Sequence, residues 1–501
     1  MGELYNFLLD KNITSGIITV LLFTYLFLSI YSDWEVLVRL FQKIKNHFTG
    51  WPDRIKRKKK DEYEKQLQQK EFISFQKKCL LTIYEPLVEK LSKQGFPINI
   101  VEFKSFKDGE EKDTYKYEAI TIGKKKTLSY PFEGLFPKKN LTPKTPSSKE
   151  KIELDDYDSE MLKNNSISNN LKRSIKKYAD LMLTTIRFPK RLGYMLLDIN
   201  FNDHDITSVS AKANCYMTNI IDSHYMEYEL YEYYKEYMKT GTLESFNKQC
   251  EEPDFKKVIL DNLPIRNQIH ASFKQDGNEE NVLISGRYRN SLMGVQALLL
   301  LKNRSGSYDA VSIRRSMNVV NKPGFIQYIP SGGFEALNDK DDIDTQRSNY
   351  SVNKALFREL AEECFGLSED VDWDNKSSET IYYQSGIKEL LSLLNESGSN
   401  KKAQFEFLGT TMNLVGLRQE FSFILRIDDD SFIEKLVANY ESNNTINLID
   451  INNLYDKQFW KNEHDNGCAY NDFDKLNCTS AGLLTLAREN HLFQEARGKG
   501  K

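Results

Sequence analysis

Three carboxylates set the chemistry this sequence can do. Glu359, Glu362 and Glu363 stand at i, i+3 and i+4, a spacing that puts all three on one helical face. The stretch from Asn353 to Phe365 has no Pro or Gly and is rich in Ala, Leu and Glu, which predicts a helix. Ala355, Leu356, Leu360 and Cys364 supply its apolar stripe. Like charges this close weaken an isolated helix, and a divalent cation relieves the repulsion. Hard cations such as Mg²⁺ take oxygen ligands and commonly bridge one or two carboxylates to substrate phosphates. Upstream, Ile329-Pro330-Ser331-Gly332-Gly333-Phe334-Glu335 carries two glycines where backbone can approach a ligand closely. A solvated acidic helix face is the plain alternative.

These residues resemble the Nudix box of the Nudix hydrolase superfamily. There a Gly and a first Glu precede the run Arg-Glu-apolar-x-Glu-Glu-x-Gly-apolar. Arg358, Glu359, Leu360, Glu362, Glu363, Gly366 and Leu367 match that run, and Pro330-Ser331-Gly332-Gly333 matches the strand end before it. Two departures stand out. The interval from Gly333 to Arg358 is longer than the family's, and one extra residue separates Glu363 from Gly366. Counting back from Arg358 puts Tyr350 where the family has its first Glu, and Tyr cannot replace it. The insertion Asn338 to Asn349 is polar and Asp-rich and is expected to loop out.

The resemblance covers residues 290 to 493. It implies a Nudix-like α/β/α sandwich in which Glu359, Glu362 and Glu363 hold Mg²⁺ or Mn²⁺ against a diphosphate. A further carboxylate often comes from outside the box; Glu420 lies in a suitable strand, with Glu406 its competitor. Arg358 would orient a carboxylate or phosphate through its fork of donors. Gly332, Gly333, Arg287, Arg289, Arg314 and Arg315 are the candidate nucleotide contacts. The implied activity is hydrolysis at a diphosphate bond, and the missing first Glu leaves binding without turnover open.

The elements that must position these residues read as an α+β chain. Gly294 to Leu301 predicts a buried strand, Asp309 to Arg314 its partner across Arg304-Ser305-Gly306, and Phe325 to Ile329 a lead into the Gly-Gly turn. Gln404 to Thr410 and Gln419 to Ile427 read as strands, Ser431 to Asn439 and Ser480 to Asn490 as helices. Earlier, Ile98 to Phe106 and Tyr115 to Ile122 flank a Lys107-Asp108-Gly109 turn, Leu171 to Ile186 reads as a helix and Tyr194 to Asn200 as a strand. Tyr225, Tyr228, Tyr231, Tyr234 and Tyr237 recur near i+3 on a helix, which suits a packed aromatic face more than a base-stacking one. The polar Pro/Ser stretch Leu141 to Ser148 marks a linker.

The N-terminus carries a different signal. Asn12 to Ser32 has no charge, and Ile17 to Tyr31 is almost wholly apolar, enough to cross a hydrocarbon core of about 30 Å. The acidic start and the lack of a small-residue cleavage site disfavour a signal peptide. The expectation is a single transmembrane helix near Thr14 to Trp34. Lys56 to Lys60 crowd its C-terminal flank, which places the remainder in the cytoplasm of a bacterial inner membrane and the basic run against lipid. The division expected is 1–40 anchor, 41–95 basic juxtamembrane segment and helical stalk, 96–290 mixed middle region, and 291–493 Nudix-like domain.

A net charge of −3 sets up no global field for a nucleic-acid polymer, and none is expected as partner. The six cysteines form no Cys-x-x-Cys pair, and His464, Cys468 and Cys478 fit no usual zinc spacing. An anchor, a long middle region and a C-terminal Nudix-like domain resemble the membrane-anchored Nudix effectors of bacterial cyclic-oligonucleotide antiphage (CBASS) systems. That resemblance implies a cyclic nucleotide ligand, ligand-promoted homo-oligomerisation and action on the membrane. A tethered Mg²⁺-dependent hydrolase of nucleoside diphosphate derivatives and a scaffold with a dead Nudix fold are the alternatives.

Overall fold

The structure, a computed structural model, describes residues 70–107, 110–144, 168–183, 191–315, 324–336, 342–367, 378–396, 401–436, 446–454 and 476–498. In chain order the helices are α1 (Lys70–Lys93), α2 (Asn169–Leu183), α3 (Tyr225–Tyr237), α4 (Leu243–Gln249), α5 (Phe255–Asp261) and α6 (Pro264–Gln275), then α7 (Ile343–Asn349), α8 (Val352–Cys364), α9 (Ser385–Leu394), α10 (Cys478–Arg488) and α11 (His491–Ala496). The strands are β1 (Ile98–Lys107), β2 (Glu110–Ser129), β3 (Leu141–Thr142), β4 (Leu192–Asn202), β5 (Asp205–Cys215) and β6 (Gly294–Lys302). They continue with β7 (Tyr308–Arg314), β8 (Ile326–Tyr328), β9 (Ser331–Gly333), β10 (Ala403–Asn413), β11 (Arg418–Ile427) and β12 (Asn447–Asp450).

The architecture is α+β with mixed sheets. One nine-stranded sheet runs β1-β2-β10-β11-β6-β7-β12, with β8 on β7 and β9 on β6. Its pairs are antiparallel except β11 with β6, which is parallel. Strands from either side of position 290 therefore share one sheet, and from Gln66 onward the chain forms one compact unit. A three-stranded sheet, β3-β5-β4, stands beside it.

The expected strands and the acidic helix form because their patterns are local. β6 is mostly apolar, with Gln296 the polar exception before its terminal Lys302, and is buried almost throughout, as a central strand must be. β10 and β11 are likewise buried. One core lies between the sheet and α10–α11, with Leu298, Leu300, Ile424, Leu483, Leu484 and Phe493 fully buried. A chain of rings fills another region: Phe334 stacks on Tyr350 at 5.7 Å, and Phe136 meets Phe334, Tyr350 and Phe421 edge-on. The tyrosines of α3 pack against Phe72 and Phe75 of α1, so the aromatic face is core. Lys70–Lys93 itself packs into the body through buried Phe72, Phe75, Leu80, Ile83 and Tyr84.

Four expectations are corrected. Among the described residues no helix is long and apolar enough to cross a membrane. This overturns the transmembrane part of the expected fold class and with it the single-pass inner-membrane placement; neither is carried forward. The stretch Thr14 to Trp34 and the basic run Lys56 to Lys60 lie outside the described residues. The insertion before the acidic helix does not simply loop out. Ile343–Asn349 is a helix, because Asp342 caps it by accepting from the Thr345 N–H. Ser431 to Asn439 yields only a short 3-10 turn over Phe432–Lys435, and 437–439 lie outside the described residues, as do His464 and Cys468.

Candidate functional site

Helix α8 begins at Ser351, whose hydroxyl caps the Lys354 N–H. It ends with Gly366 at φ +68, a backbone conformation that suits glycine, and the Leu367 N–H folds back to the Ala361 carbonyl at 2.9 Å. The extra residue after Glu363 is thus absorbed in the helix C-cap. Between these ends the helix lays Glu359, Glu362 and Glu363 beside β9. The Glu363 carboxylate accepts the Ser331 N–H at 2.8 Å. Glu359 lies so close to β9 that a Cβ on Gly332 would sit 2.0 Å from its carboxyl carbon.

Glu420 arrives from the neighbouring strand. It pairs in register with Gly294, which in turn pairs with Gly333 across β9. A Cβ on Gly294 would lie 1.6 Å from Glu420 Oε2. Bare glycine backbone is therefore what lets both carboxylates settle where they do. Glu335, just past the Gly-Gly turn, completes the acidic set. Its carboxylate is 3.3 Å from Arg191 Nη1 and 4.0 Å from Arg358 Nη1.

Arginines interleave with these acids. Arg358 donates to the Gly333 carbonyl at 2.7 Å and to the Glu359 carboxylate. Arg418 Nε lies 3.0 Å from Glu420 Oε1. Arg315 donates to Gln327 and feels Glu363 and Glu420 electrostatically. Burial outweighs these cations for the acids. It raises the Glu359 and Glu363 carboxyls above the usual range. Glu362 and Glu420 are pushed up to about 7, burial being opposed by Arg358 for the first and by Arg418 and Arg315 for the second. Burial also holds the Arg315 guanidinium down, lifts the Tyr216 hydroxyl to about 12 and lowers the His224 imidazole to about 4, with Arg418 adding to the last. Glu363, Arg315, Tyr216 and His224 are less completely covered than Glu359, Glu362 and Glu420.

The structure thus brings Glu359, Glu362, Glu363, Glu420, Arg358, Arg315, Gly332 and Gly333 together. Arg314 points away from its neighbour, as successive strand residues do, and donates to the Gly324 carbonyl at 3.2 Å. Arg287 is exposed and paired with Asp198 at 3.4 Å and Asp276 at 3.5 Å. Arg289 is fully buried, donating to the Val282 carbonyl at 3.3 Å. Glu406 accepts from Asn490 at 2.9 Å by α11 and is not in the cluster. Glu335, Arg191, Arg418, Tyr216, His224 and the role of Gly294 were not read from sequence. Arg418 had a local signal, since residues two apart on a strand share a face with Glu420.

Whether a cation fits can be tested on the donors. All are hard carboxylate oxygens, and Glu420 Oε2 is buried with no hydrogen-bond partner. As placed they form no ready cage: among the described residues no group of three or more His, Cys, Asp or Glu is set to hold a metal ion. Mg²⁺ does not need one, because it usually keeps several waters and takes one or two carboxylates plus substrate phosphates. No protein-family model matches the chain, and no curated protein matches it.

Proposed function

We propose that the Nudix-like region binds a nucleotide phosphate together with Mg²⁺ or Mn²⁺ at the Glu359, Glu362, Glu363 and Glu420 cluster. One observation carries this: beyond the effect of burial, Glu359, Glu362 and Glu363 raise one another's proton affinity, and Glu359 does the same to Glu420, whose buried Oε2 has no hydrogen-bond partner. Gathering them costs free energy unless protons or a cation offset the repulsion. A bound cation supplies charge neutralisation and polarises a phosphoryl oxygen. Arg358 and Arg315 supply donors for phosphate oxygens, and bare Gly332 and Gly333 let the ligand approach.

The first reading is a sensor of a cyclic oligonucleotide in bacterial antiphage signalling, with ligand favouring a homo-oligomer. Its support is the Nudix-like site with Tyr350 in place of the family's first Glu. The second is hydrolysis of a nucleoside diphosphate derivative. It is favoured by Glu362 and Glu420, whose carboxyls near 7 can take a proton from water at neutral pH. The test is to incubate the protein and Mg²⁺ with cyclic di- and trinucleotides and with linear nucleoside diphosphate derivatives. Binding, cleavage and sedimenting mass are scored together. Cyclic ligand bound intact with a rise in mass supports the sensor, and steady cleavage of a linear substrate supports the hydrolase. Binding of neither sinks the proposal.

A further inference from the structure

A groove of about 990 Å³ runs between the C-terminal half of α1, strands β1, β2 and β10, and the α10–α11 corner. None of its lining residues belongs to the acidic cluster. Its wall is shaped by a break in the sheet. Gly123 pairs with Gly409 and Leu128 with Phe407, so Lys124, Lys125, Lys126 and Thr127 stand opposite Leu408 alone. Bulges of this kind re-aim side chains beside functional sites. This one depends on glycine: Gly409 has φ +132, and a Cβ there would lie 2.2 Å from the Ile122 carbonyl oxygen.

The bulge brings Lys124, Lys125 and Lys126 to the groove. Lys125 is used structurally, its N–H donating to Asp205 at 3.0 Å and its Nζ to the Asp203 carbonyl at 2.9 Å. That pins the bulge to the β4–β5 hairpin. Lys126 is exposed. Lys124 is half-buried, 5.3 Å over the Phe407 ring, with burial holding its ammonium below the ordinary range. Among the described residues no carboxylate lies within ion-pair distance of it, and Asp205 acts on it electrostatically against the effect of burial. Most of the groove's acids have partners within the groove; Glu89 lies 3.6 Å from Lys93, and Glu489 is exposed. Glu85 and Glu102 flank Lys116 at 2.8 and 3.5 Å, and Glu406 takes Asn490 and lies 3.6 Å from His491.

We propose that this groove binds a phosphorylated small molecule of nucleotide size, its phosphates on Lys124 and Lys126, at a site separate from the acidic cluster. Lysine ammoniums suit phosphate as compact charges. The volume matches the roughly 300–1,000 Å³ typical of small-ligand sites. The acidic far end, at Glu85 and Glu102, disfavours a long polyanion. No divalent cation is required, which distinguishes the site from the one proposed above.

The experiment is calorimetry on the full chain in excess EDTA, titrating ATP and, separately, inorganic tripolyphosphate. Binding is expected without metal, weakened about tenfold or more in Lys124→Met/Lys126→Met because two charged contacts are lost. It is expected to be retained in Lys124→Arg/Lys126→Arg and unchanged in Glu363→Gln. Should the double Met variant not fold, the single exposed change Lys126→Glu decides by the same loss. Absence of binding in EDTA, equal affinity in the Lys variants, loss in Glu363→Gln, or affinity that climbs with the length of a DNA oligonucleotide would each overturn the proposal.

Discussion

Replacing Gly294 by Ala tests the acidic cluster at its narrowest point. The added Cβ would lie 1.6 Å from Glu420 Oε2 and 2.3 Å from its Cδ. Ordinary contact needs about 3.5 Å, so the carboxylate must retreat by roughly 2 Å. It is the end of a flexible side chain, and φ at Gly294 is not in the left-handed region. The strand itself can keep its place, and the melting temperature should stay within a few degrees. The site should not be so tolerant. Displacements of about 1 Å at a positioned group cost on the order of a hundredfold, and the carboxylate moved is the one with an unpartnered oxygen. The assay is Mn²⁺ binding in the presence of ADP, followed by the electron paramagnetic resonance of free Mn²⁺ beside thermal melts. Expected is a native-like melt with Mn²⁺–ADP affinity reduced ten- to a hundredfold. A native-like melt with wild-type affinity would refute the placement of Glu420 in the site.

Four further outcomes follow from the same geometry. Glu363→Gln keeps an oxygen to accept the Ser331 N–H and should fold normally while weakening Mn²⁺ binding; equal calorimetric affinity would remove the metal reading. Glu362 and Glu420 ionise at about 7, so Mn²⁺ affinity should climb between pH 6 and 8 as the ligands lose protons. Without metal, the native state holds these protons above the ordinary carboxylate range, so stability should fall as pH rises from about 4.5 through about 7; a flat or rising profile in EDTA contradicts that. Tyr350→Glu places the family's residue in the counted position, but Tyr350 is buried on Phe334 and donates to the Val209 carbonyl at 3.2 Å. Burying an unpaired charge there should cost several kcal/mol, read as a large drop in melting temperature, and a variant as stable as wild type would show the ring stack is misassigned.

What was legible in the sequence was what is encoded locally. The α8 helix follows from its composition and apolar spacing, and β6, β7, β10 and β11 from their strand-like runs. The three α8 carboxylates share a face by periodicity alone. Arg315 against Arg314 was not separable, because strand parity decides which of two neighbours enters the site. Arg191 and Tyr216 reach the cluster only through tertiary packing, and Glu335, although it closes the Gly-Gly stretch, has no periodic relation that would join it to the α8 carboxylates. The long interval before Arg358 concealed a second capped helix, since its Asp-rich composition suits a loop and an N-cap equally. The union of β1 and β2 with the C-terminal strands was illegible for the same reason: partner choice between distant strands leaves no periodic trace.

That union has a consequence for the chain as it is made. The inner edge of β2 is completed by β10, with Leu128 opposite Phe407, 279 residues further on. At about 5–20 residues per second, synthesis leaves this edge without its neighbour for about 14–56 s. The β1–β2 hairpin folds in microseconds and then waits, an open edge of the kind that recruits foreign strands. Lys124, Lys125 and Lys126 sit on that same edge, and lysines are among the charges that blunt an open edge. Residues that line a groove in the finished protein also put three positive charges on the edge that waits for β10.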